Sequence, residues 1–376
     1  MNGPGGRGLE PTPEQEELCA AVRAVLARHR GHAAWSPLTA QVGAAALAVP
    51  EEYGGLGCGA AEIGVVMAEL GRALSPVPFL GSAVLTVGAL LESGDREACA
   101  RHLPGLAEGT LVGALAWAEA PAGGRGGWEA GDVATRAVKA GSDWLLTGTK
   151  RYVLAGPVEA GLLLAFARTG DGEGELGLFE LTAPPASFTV RSTMDRTRPL
   201  AELTLDRTPA RLLSADGAGV LARVRDAACT ALAAEQAGAA GRALEVTVRY
   251  AKDRVQFGRP IGSFQAVKHR LADMYTAVET ARSLSLAAGA AVADRPELAS
   301  AAKSACSEAL AYVAGEVIQL HGGIGITWEH EAHEFLKRAH GSAHLFGTPA
   351  AHRERLASEL AFLSPGRRTA DIPSGP

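Results

Sequence analysis

The spacing at which hydrophobic residues recur changes twice along the chain, and this feature limits the possible folds more than any other. Up to about residue 111, apolar residues such as Leu18, Val22 and Val25 recur at helical spacing. They then alternate with polar residues to about residue 213, after which the helical spacing returns. The pattern predicts an α+β chain with three domains. These are a helical domain at 1–111, a β domain at 112–213 and a helical domain at 214–363, with a flexible tail at 364–376.

Local signals predict individual elements. Thr12, Pro13 and Gln15 indicate a helix start, because threonine can cap, proline suits the first position and glutamine completes a capping box. Near the other end, apolar residues three and four apart predict two helices with buried stripes, which include Met274 and Leu310.

The central region carries the strand signals. Short strand-like runs, separated by turn residues, lie at 144–147, 151–154, 162–167, 176–181 and 201–205. Several short strands at this spacing are typical of a small barrel or sandwich.

Composition excludes several classes of protein. A net charge of -5 in 376 residues argues against nucleic acid as a partner. Uninterrupted apolar runs such as 83–91 are shorter than the ~20 residues that span a bilayer, and the first residues lack the apolar core of a secretory signal. Five scattered cysteines without a CxxC spacing favour a reducing cytoplasm over a disulfide framework.

Metal and thiol chemistry are weakly supported. His340 and His344 lie four residues apart and could share a helix face, but nearby carboxylates are few, so a polar helix surface without a metal is the favoured interpretation. Cys229 stands in an alanine-rich helical segment, which favours a core position over a nucleophile.

Two helix corners are the strongest signals for a ligand. At 254–265 one helix ends and another begins, and Arg254 offers a forked cation suited to phosphate while Phe257 offers a flat apolar face. At 319–323 another helix ends in Gly322 and Gly323, which let a backbone approach a ligand closely. The two corners suggest a long, phosphorylated ligand held between helices.

These corners, in this helical–β–helical order, resemble the acyl-CoA dehydrogenase family. Segments 49–57, 148–152, 271–274 and 319–327 also match, in the family's order and spacing. The resemblance covers nearly the whole chain. It implies the family's fold, in which an N-terminal helical domain, a small middle β-barrel or sandwich and a C-terminal four-helix bundle follow one another.

The resemblance also implies FAD as the cofactor. Two groups of residues match positions that hold the pyrophosphate and adenosine end of a neighbouring subunit's FAD: Arg254, Gln256, Phe257 and Gln265, and then Gln319, Gly322 and Gly323. A cofactor shared in this way implies an oligomer, usually a tetramer, built from copies of the chain or with a paralogous subunit.

The flavin-ring end departs from the family pattern. The matching positions there are Trp117, Ala118, Gly124, Tyr152, Leu154 and Thr348. The loop 118–124 lacks the family's Thr-Glu-Pro and Gly-Ser sequence, and Leu154 replaces a threonine whose hydroxyl lies near flavin N5. Leucine cannot donate that hydrogen bond.

The catalytic base is missing from its expected position. The family's glutamate matches Phe346, and the alternative position in some members matches about Ala228. A slip in alignment would bring in Asp226. Glu235, two helical turns and ~10 Å beyond Ala228, is a further candidate, although it could equally be a structural carboxylate.

Three functional hypotheses follow from the resemblance. The first is an FAD-dependent oxidoreductase that desaturates an acyl-CoA or acyl-carrier-protein thioester and passes electrons to an acceptor flavoprotein. The second is a non-catalytic subunit that supplies half of the FAD site to a paralogous chain. The third is another flavin reaction, such as oxygenation, on the same fold.

Overall fold

The computed structural model describes residues 10–119, 127–154, 160–169 and 175–359. Helices come first along the chain: α1 (Pro13–Arg28), α2 (Trp35–Val42), α3 (Ala60–Arg72), α4 (Val87–Ser93) and α5 (Arg96–Glu108). Seven strands follow: β1 (Gly113–Ala116), β2 (Arg136–Ala140), β3 (Asp143–Val153), β4 (Leu162–Thr169), β5 (Leu176–Leu181), β6 (Ser187–Arg191) and β7 (Leu200–Ser214). The rest comprises α6 (Gly217–Asp253), the hairpin strands β8 (Val255–Gln256) and β9 (Arg259–Pro260), α7 (Gln265–Ala291), α8 (Glu297–His321), α9 (Ala332–His344) and α10 (Pro349–Glu359).

The start of α1 confirms the predicted capping box. Thr12 Oγ1 accepts a hydrogen bond from the Gln15 backbone N–H at 3.3 Å, and Gln15 Oε1 accepts one from the Thr12 N–H at 3.1 Å. Two N–H groups that a helix start leaves without intrahelical partners are therefore satisfied.

The seven strands close into a barrel rather than two stacked sheets. β2, β3, β7 and β5 pair in turn as antiparallel neighbours, and β5 pairs with β4. β4 returns to β2 in a parallel pairing, which closes the ring. β1 adds to β4, and β6 adds to β7.

One strand prediction is wrong. Residues 144–147 and 151–154 do not form two strands, since β3 runs without a break through Gly148. Its pairing with β7 shifts register near Gly148 and again after Lys150, so bulges keep the ladder continuous between the two predicted runs. A side chain at Gly148 would meet Thr135, since its Cβ would lie 2.4 Å from Thr135 Oγ1.

Helices α6 to α9 form the C-terminal bundle, with α10 packed on α8. The predicted stripes are buried in part: Met274, Val278 and Ala281 on α7, and Cys306, Leu310, Val313 and Val317 on α8. The other predicted members, Phe264, Val267, Leu271 and Leu320, are half-buried.

The long helix α6 also contacts α3 at two glycines. A Cβ on Gly71 would lie 2.0 Å from the Glu235 carbonyl oxygen, and one on Gly238 would lie 2.0 Å from that of Ala68. The two backbones therefore touch, and this contact places Glu235 beside the N-terminal helices.

Within the described residues, the stretch Glu297–Ile326 has the length and composition of a membrane-crossing helix. Uninterrupted apolar runs do not reveal this stretch, because α8 carries polar residues such as Lys303 and Ser307 between its apolar ones. α8 packs against α6, α7 and α9, so it is a central helix of the bundle. Core helices of this kind also have the length and apolar composition of a membrane-crossing helix.

Element type changes after α5 and again after β7, but the domain boundaries at 111, 213 and 363 stay a prediction. The predicted tail at 364–376 lies outside the described residues.

Candidate functional site

The first helix corner is a tight hairpin on the surface. α6 ends at Asp253, and strands β8 and β9 are joined by Phe257 and Gly258, whose φ angles are +52° and +76°. Two central residues with positive φ are the mark of a type I′ turn, which suits a two-residue hairpin loop. Phenylalanine rarely adopts this backbone conformation. Phe257 is nevertheless 92% exposed.

The polar side chains of this corner are available for a ligand. Arg254 and Gln265 are exposed and have no hydrogen bond or ion pair from their side chains to any other described residue. Gln256 donates only to the neighbouring carbonyl of Val255, at 2.9 Å. The structure therefore presents an unpaired guanidinium and two amides beside an exposed aromatic ring.

The second corner is attached to the first by stacked rings. Tyr250 on α6 stacks on His321 at 4.3 Å between ring centroids, and Tyr250 Oη donates to the His321 carbonyl oxygen at 3.4 Å. Gly322 and Gly323 follow, both exposed, with no described atom within 4 Å of a Cβ built on them. The exposed side chain of Gln319 lies just before them. We call residues 254–265 and 319–323 together the nucleotide corner.

Two of the predicted flavin-ring residues, Trp117 and Tyr152, meet Trp128 and Phe346 in a group of rings. We call these four residues the aromatic cluster. Trp117 stacks on Phe346 at 5.5 Å, and Trp128 stacks on Tyr152 at 5.7 Å. Trp128 also meets Trp117 and Phe346 edge to face, at 5.5 and 5.3 Å. Sequence reasoning missed Trp128, because no motif marks it and its contacts depend on the fold.

Little space remains beside the aromatic cluster. The cavity there, which Ala118 and Leu154 also line, has a volume of about 10 Å³. That is about the minimum for one water molecule. A flavin ring does not fit this space unless Trp128 or its neighbours move.

Buried basic groups hold the backbone around Phe346. Lys303 Nζ donates to the carbonyls of Ala343 and Gly347, each at 3.3 Å, and His352 Nε2 lies 3.1 Å from the Phe346 carbonyl oxygen. Burial lowers the pKa of Lys303 to about 8. Burial, and then the nearby Lys303 charge, lowers the pKa of His352 to about 3.

The same segment continues into α10. Phe346 has a φ of +62° and Gly347 one of +113°. Thr348 Oγ1 then accepts from the Ala351 N–H at 3.3 Å, so Thr348 caps α10. The structure thus gives Thr348 a capping contact. Gly124, predicted to lie near the flavin, falls outside the described residues.

The two candidate bases do not line the cavity beside the aromatic cluster. Asp226 pairs with Arg355 at 3.0 Å, and burial raises its pKa despite that partner. Ala228 is fully buried. Neither Asp226 nor Glu235 is among the described residues that line the cavity beside Phe346.

Glu235 belongs to a buried charge network. Its Oε1 accepts from Arg338 Nη1 at 2.6 Å and from Arg198, and Arg338 also pairs with Asp195 at 2.9 Å. These contacts favour the structural interpretation of Glu235. The sequence offered little signal for them, because Arg198 and Arg338 are 37 and 103 residues from Glu235.

The structure gives the surroundings of the histidine pair and of the Cys229 thiol. His340 and His344 are exposed on α9, and the described residues contain no group of three or more His, Cys, Asp or Glu side chains placed to hold a metal ion. Cys229 is buried 3.8 Å from His352 Nε2, and burial raises the pKa of its thiol to about 12.

Comparisons with known proteins agree with this architecture. Residues 12–110 match the family model of the acyl-CoA dehydrogenase N-terminal domain, and residues 216–361 match that of the C-terminal domain. The chain is 42% identical over 343 residues to the acyl-CoA dehydrogenase IpdE2 of Mycobacterium tuberculosis, with 91% of each chain covered.

Two solved structures extend the likeness to three dimensions. The ChsE4-ChsE5 complex from Mycobacterium tuberculosis superposes with a TM-score of 0.84 at 28% identity, covering 94% of this chain and 99% of that one. A variant of the Tcur3481-Tcur3483 steroid acyl-CoA dehydrogenase superposes with a TM-score of 0.82 at 32% identity, covering 93% and 98%.

Proposed function

The chain belongs to the acyl-CoA dehydrogenase family, and from this premise we propose that it takes part in the FAD-dependent α,β-desaturation of an acyl thioester. When bound, FAD supplies the acceptor for the hydride that leaves the β-carbon. The thioester belongs to coenzyme A or to a carrier protein, and a second flavoprotein accepts the electrons.

The nucleotide corner is the observation that carries this proposal. Arg254, Gln256 and Gln265 keep their polar groups for an external ligand, and Phe257 holds its ring in solvent at a strained turn. A guanidinium can bind pyrophosphate oxygens with two parallel N–H bonds, and an aromatic face can pack on adenine. Gly322 and Gly323 leave room for the ligand to approach.

We propose that this corner holds the nucleotide end of an FAD whose ring lies in a neighbouring subunit. The corner faces solvent, whereas the ring-end residues of the same chain are packed against one another. An oligomer follows from such a shared site, either a homotetramer or one with a paralogous subunit. We also propose a cytoplasmic location.

One structural relative narrows the substrates to test. The solved structure that is 32% identical is a steroid acyl-CoA dehydrogenase. A CoA thioester of a steroid-derived acid is therefore the first substrate class to try.

The isolated chain should reduce flavin slowly, since Phe346 cannot accept the α-proton. Purified protein is loaded with FAD and mixed anaerobically with saturated acyl thioesters while flavin absorbance is followed. Bleaching supports desaturation. A chain that binds neither FAD nor a thioester, alone or with its oligomeric partner, would refute the proposal.

The aromatic cluster favours a second candidate, although the comparisons name dehydrogenases and do not single it out. If Trp128 keeps its place, the ring end of this chain stays closed, and the chain serves only the FAD site of a paralogous subunit. Co-purification of a homologue with glutamate at the Phe346 position, with one FAD for each pair of chains, would support this candidate. One FAD for each chain would exclude it.

A further inference from the structure

A second cavity lies next to the one beside the aromatic cluster. Leu154 lines both this cavity and the one beside Phe346. The larger cavity has a volume of about 40 Å³, room for about three water-sized groups. Apolar residues of α3 and of the 76–81 segment form most of its wall. The polar part is formed by Ser75, Thr197, Arg198, Glu235 and Arg338.

The two buried arginines of this wall differ in how well they are satisfied. Arg338 donates hydrogen bonds to Glu235 and to both the hydroxyl and carbonyl oxygens of Thr197, and it forms an ion pair with Asp195. Arg198 reaches only Glu235, and its Nη1 has no hydrogen-bond partner among the described residues although the side chain is 8% exposed.

A second polar atom of the wall is also unpartnered. Ser75 Oγ is buried and makes no hydrogen bond within the described residues. Buried donors without partners are rare, because each loses its hydrogen bonds to water and gains none within the protein. Two such groups on one cavity therefore indicate a ligand, or water, that accepts a hydrogen bond.

Charge decides which acceptor fits. Asp195 and Glu235 balance Arg198 and Arg338, so the network is neutral as it stands. A carboxylate would add a buried charge with no counter-charge, whereas a carbonyl or hydroxyl oxygen needs only hydrogen bonds.

We propose that this cavity is a specificity subsite, in which Arg198 Nη1 and Ser75 Oγ bind a neutral oxygen substituent on the acyl group of the substrate. The inference rests on the proposed function, since it names the class of acyl thioester that the chain takes. The preferred substrate carries a keto or hydroxyl group at a distance from the thioester. An unsubstituted alkyl chain leaves both donors unpaired.

Calorimetric titration tests the subsite without relying on turnover. Short- and medium-chain acyl-CoAs are compared as plain, keto, hydroxy and carboxy derivatives of equal length. Wild-type protein, in the oligomer as purified, should bind the keto or hydroxy form more tightly than the plain form. Ser75→Ala should reduce that preference by about 3- to 10-fold, the effect of one neutral hydrogen bond. Arg198→Lys keeps the positive charge beside Glu235 but loses the second nitrogen of the guanidinium, so it should reduce the preference further.

Ser342→Ala is the matched control, because its buried hydroxyl also has no partner among the described residues but lies outside the cavity wall. It should leave the preference unchanged, and thermal melts establish that each variant folds. Equal binding of all forms by the wild type would overturn the subsite and assign the cavity to water, while the proposed function stands. Tightest binding of the carboxy form would overturn the charge argument. If neither FAD nor any acyl thioester binds, whether the thioester is on coenzyme A or on a carrier protein, the proposed function itself fails.

Discussion

Phe257 and Phe346 share an unusual backbone conformation, but the surroundings of their side chains differ. Their φ angles are +52° and +62°, in a region that phenylalanine seldom occupies and that costs of order 1–3 kcal/mol. Phe257 is 92% exposed in the nucleotide corner, whereas Phe346 is 1% exposed in the aromatic cluster.

The difference shows where each region obtains its stability. Burial against Trp117 and Trp128 offsets the strain at Phe346 within the chain itself. Nothing within the described residues offsets it at Phe257 except an edge contact with Phe264 at 6.2 Å. We infer that the nucleotide corner is built for a partner or cofactor, while the aromatic cluster is complete without one.

The contrast between the two regions should change most when a proton-accepting side chain is introduced at position 346. Phe346→Glu should accelerate flavin reduction of the FAD-loaded protein by about 10²–10⁴-fold, the usual contribution of a positioned proton acceptor. Stopped-flow absorbance with a saturated acyl thioester measures it. The new buried carboxyl should cost some stability, since its neighbours are aromatic.

Phe346→Gln is the control for that variant, because it opens the same space without adding a base. Equal rates for the glutamate and glutamine variants would show that position 346 is not where the α-proton is removed.

The buried charge network gives the next largest effect. Glu235→Gln should lower the free energy of unfolding by about 3–5 kcal/mol, because it leaves Arg198 and Arg338 without their shared carboxylate. Chemical denaturation measures the loss. Glu245→Gln on the same helix is the control: this residue is half exposed beside Arg72 and should cost about 1 kcal/mol or less. A Glu235→Gln protein that is fully stable but inactive would identify Glu235 as the base.

At the nucleotide corner, Arg254→Ala should act on cofactor affinity and leave stability unchanged. Loss of a charge-assisted bond to phosphate weakens FAD binding by about 1.5–3 kcal/mol, or roughly 10- to 100-fold. Flavin titration of the apoprotein measures it. Arg249→Ala, another exposed arginine of α6, should bind FAD like the wild type. Unchanged affinity in the Arg254 variant would remove this residue from the cofactor site.

The smallest expected effect is a pH dependence at the ring end. His352 has a pKa of about 3 in the folded chain and about 6.5 when unfolded, so between these values the unfolded state binds more protons. Stability from this group is present above about pH 6.5 and is lost as the pH falls. Between about pH 7 and pH 5 the free energy of unfolding should fall by about 2 kcal/mol.

His352→Gln should lack that contribution when denaturation is repeated at both pH values. The exposed His269 on α7 offers the control, and His269→Gln should follow the wild-type curve. Identical pH dependence in all three proteins would mean that water reaches His352.

Patterns local in sequence predicted the helices, the strands and the two corners, because periodicity, caps and turns involve residues within one or two helical turns of each other. The Thr12 capping box and the α8 stripe through Leu310 are examples. The predicted separation of the runs 144–147 and 151–154 failed because pairing with β7, far along the chain, holds β3 together.

The site itself was predicted only in part. Motif matches brought Tyr152 and Phe346 to one place, but Trp128 and the partners of Glu235 depend on contacts between distant segments. Such contacts are set by how whole elements pack, which a single sequence does not encode in any short pattern.

Gly71 and Gly238 restrict how this sequence can drift over evolutionary time. Alanine is ordinarily the better residue in a helix interior by about 1 kcal/mol, so neutral drift should replace glycine there. At these two positions any side chain would collide with the carbonyl of the facing helix, at 2.0 Å in each case. Descendants of this gene can therefore change one glycine only after α3 and α6 have moved apart, and that movement would reshape the wall that carries Glu235.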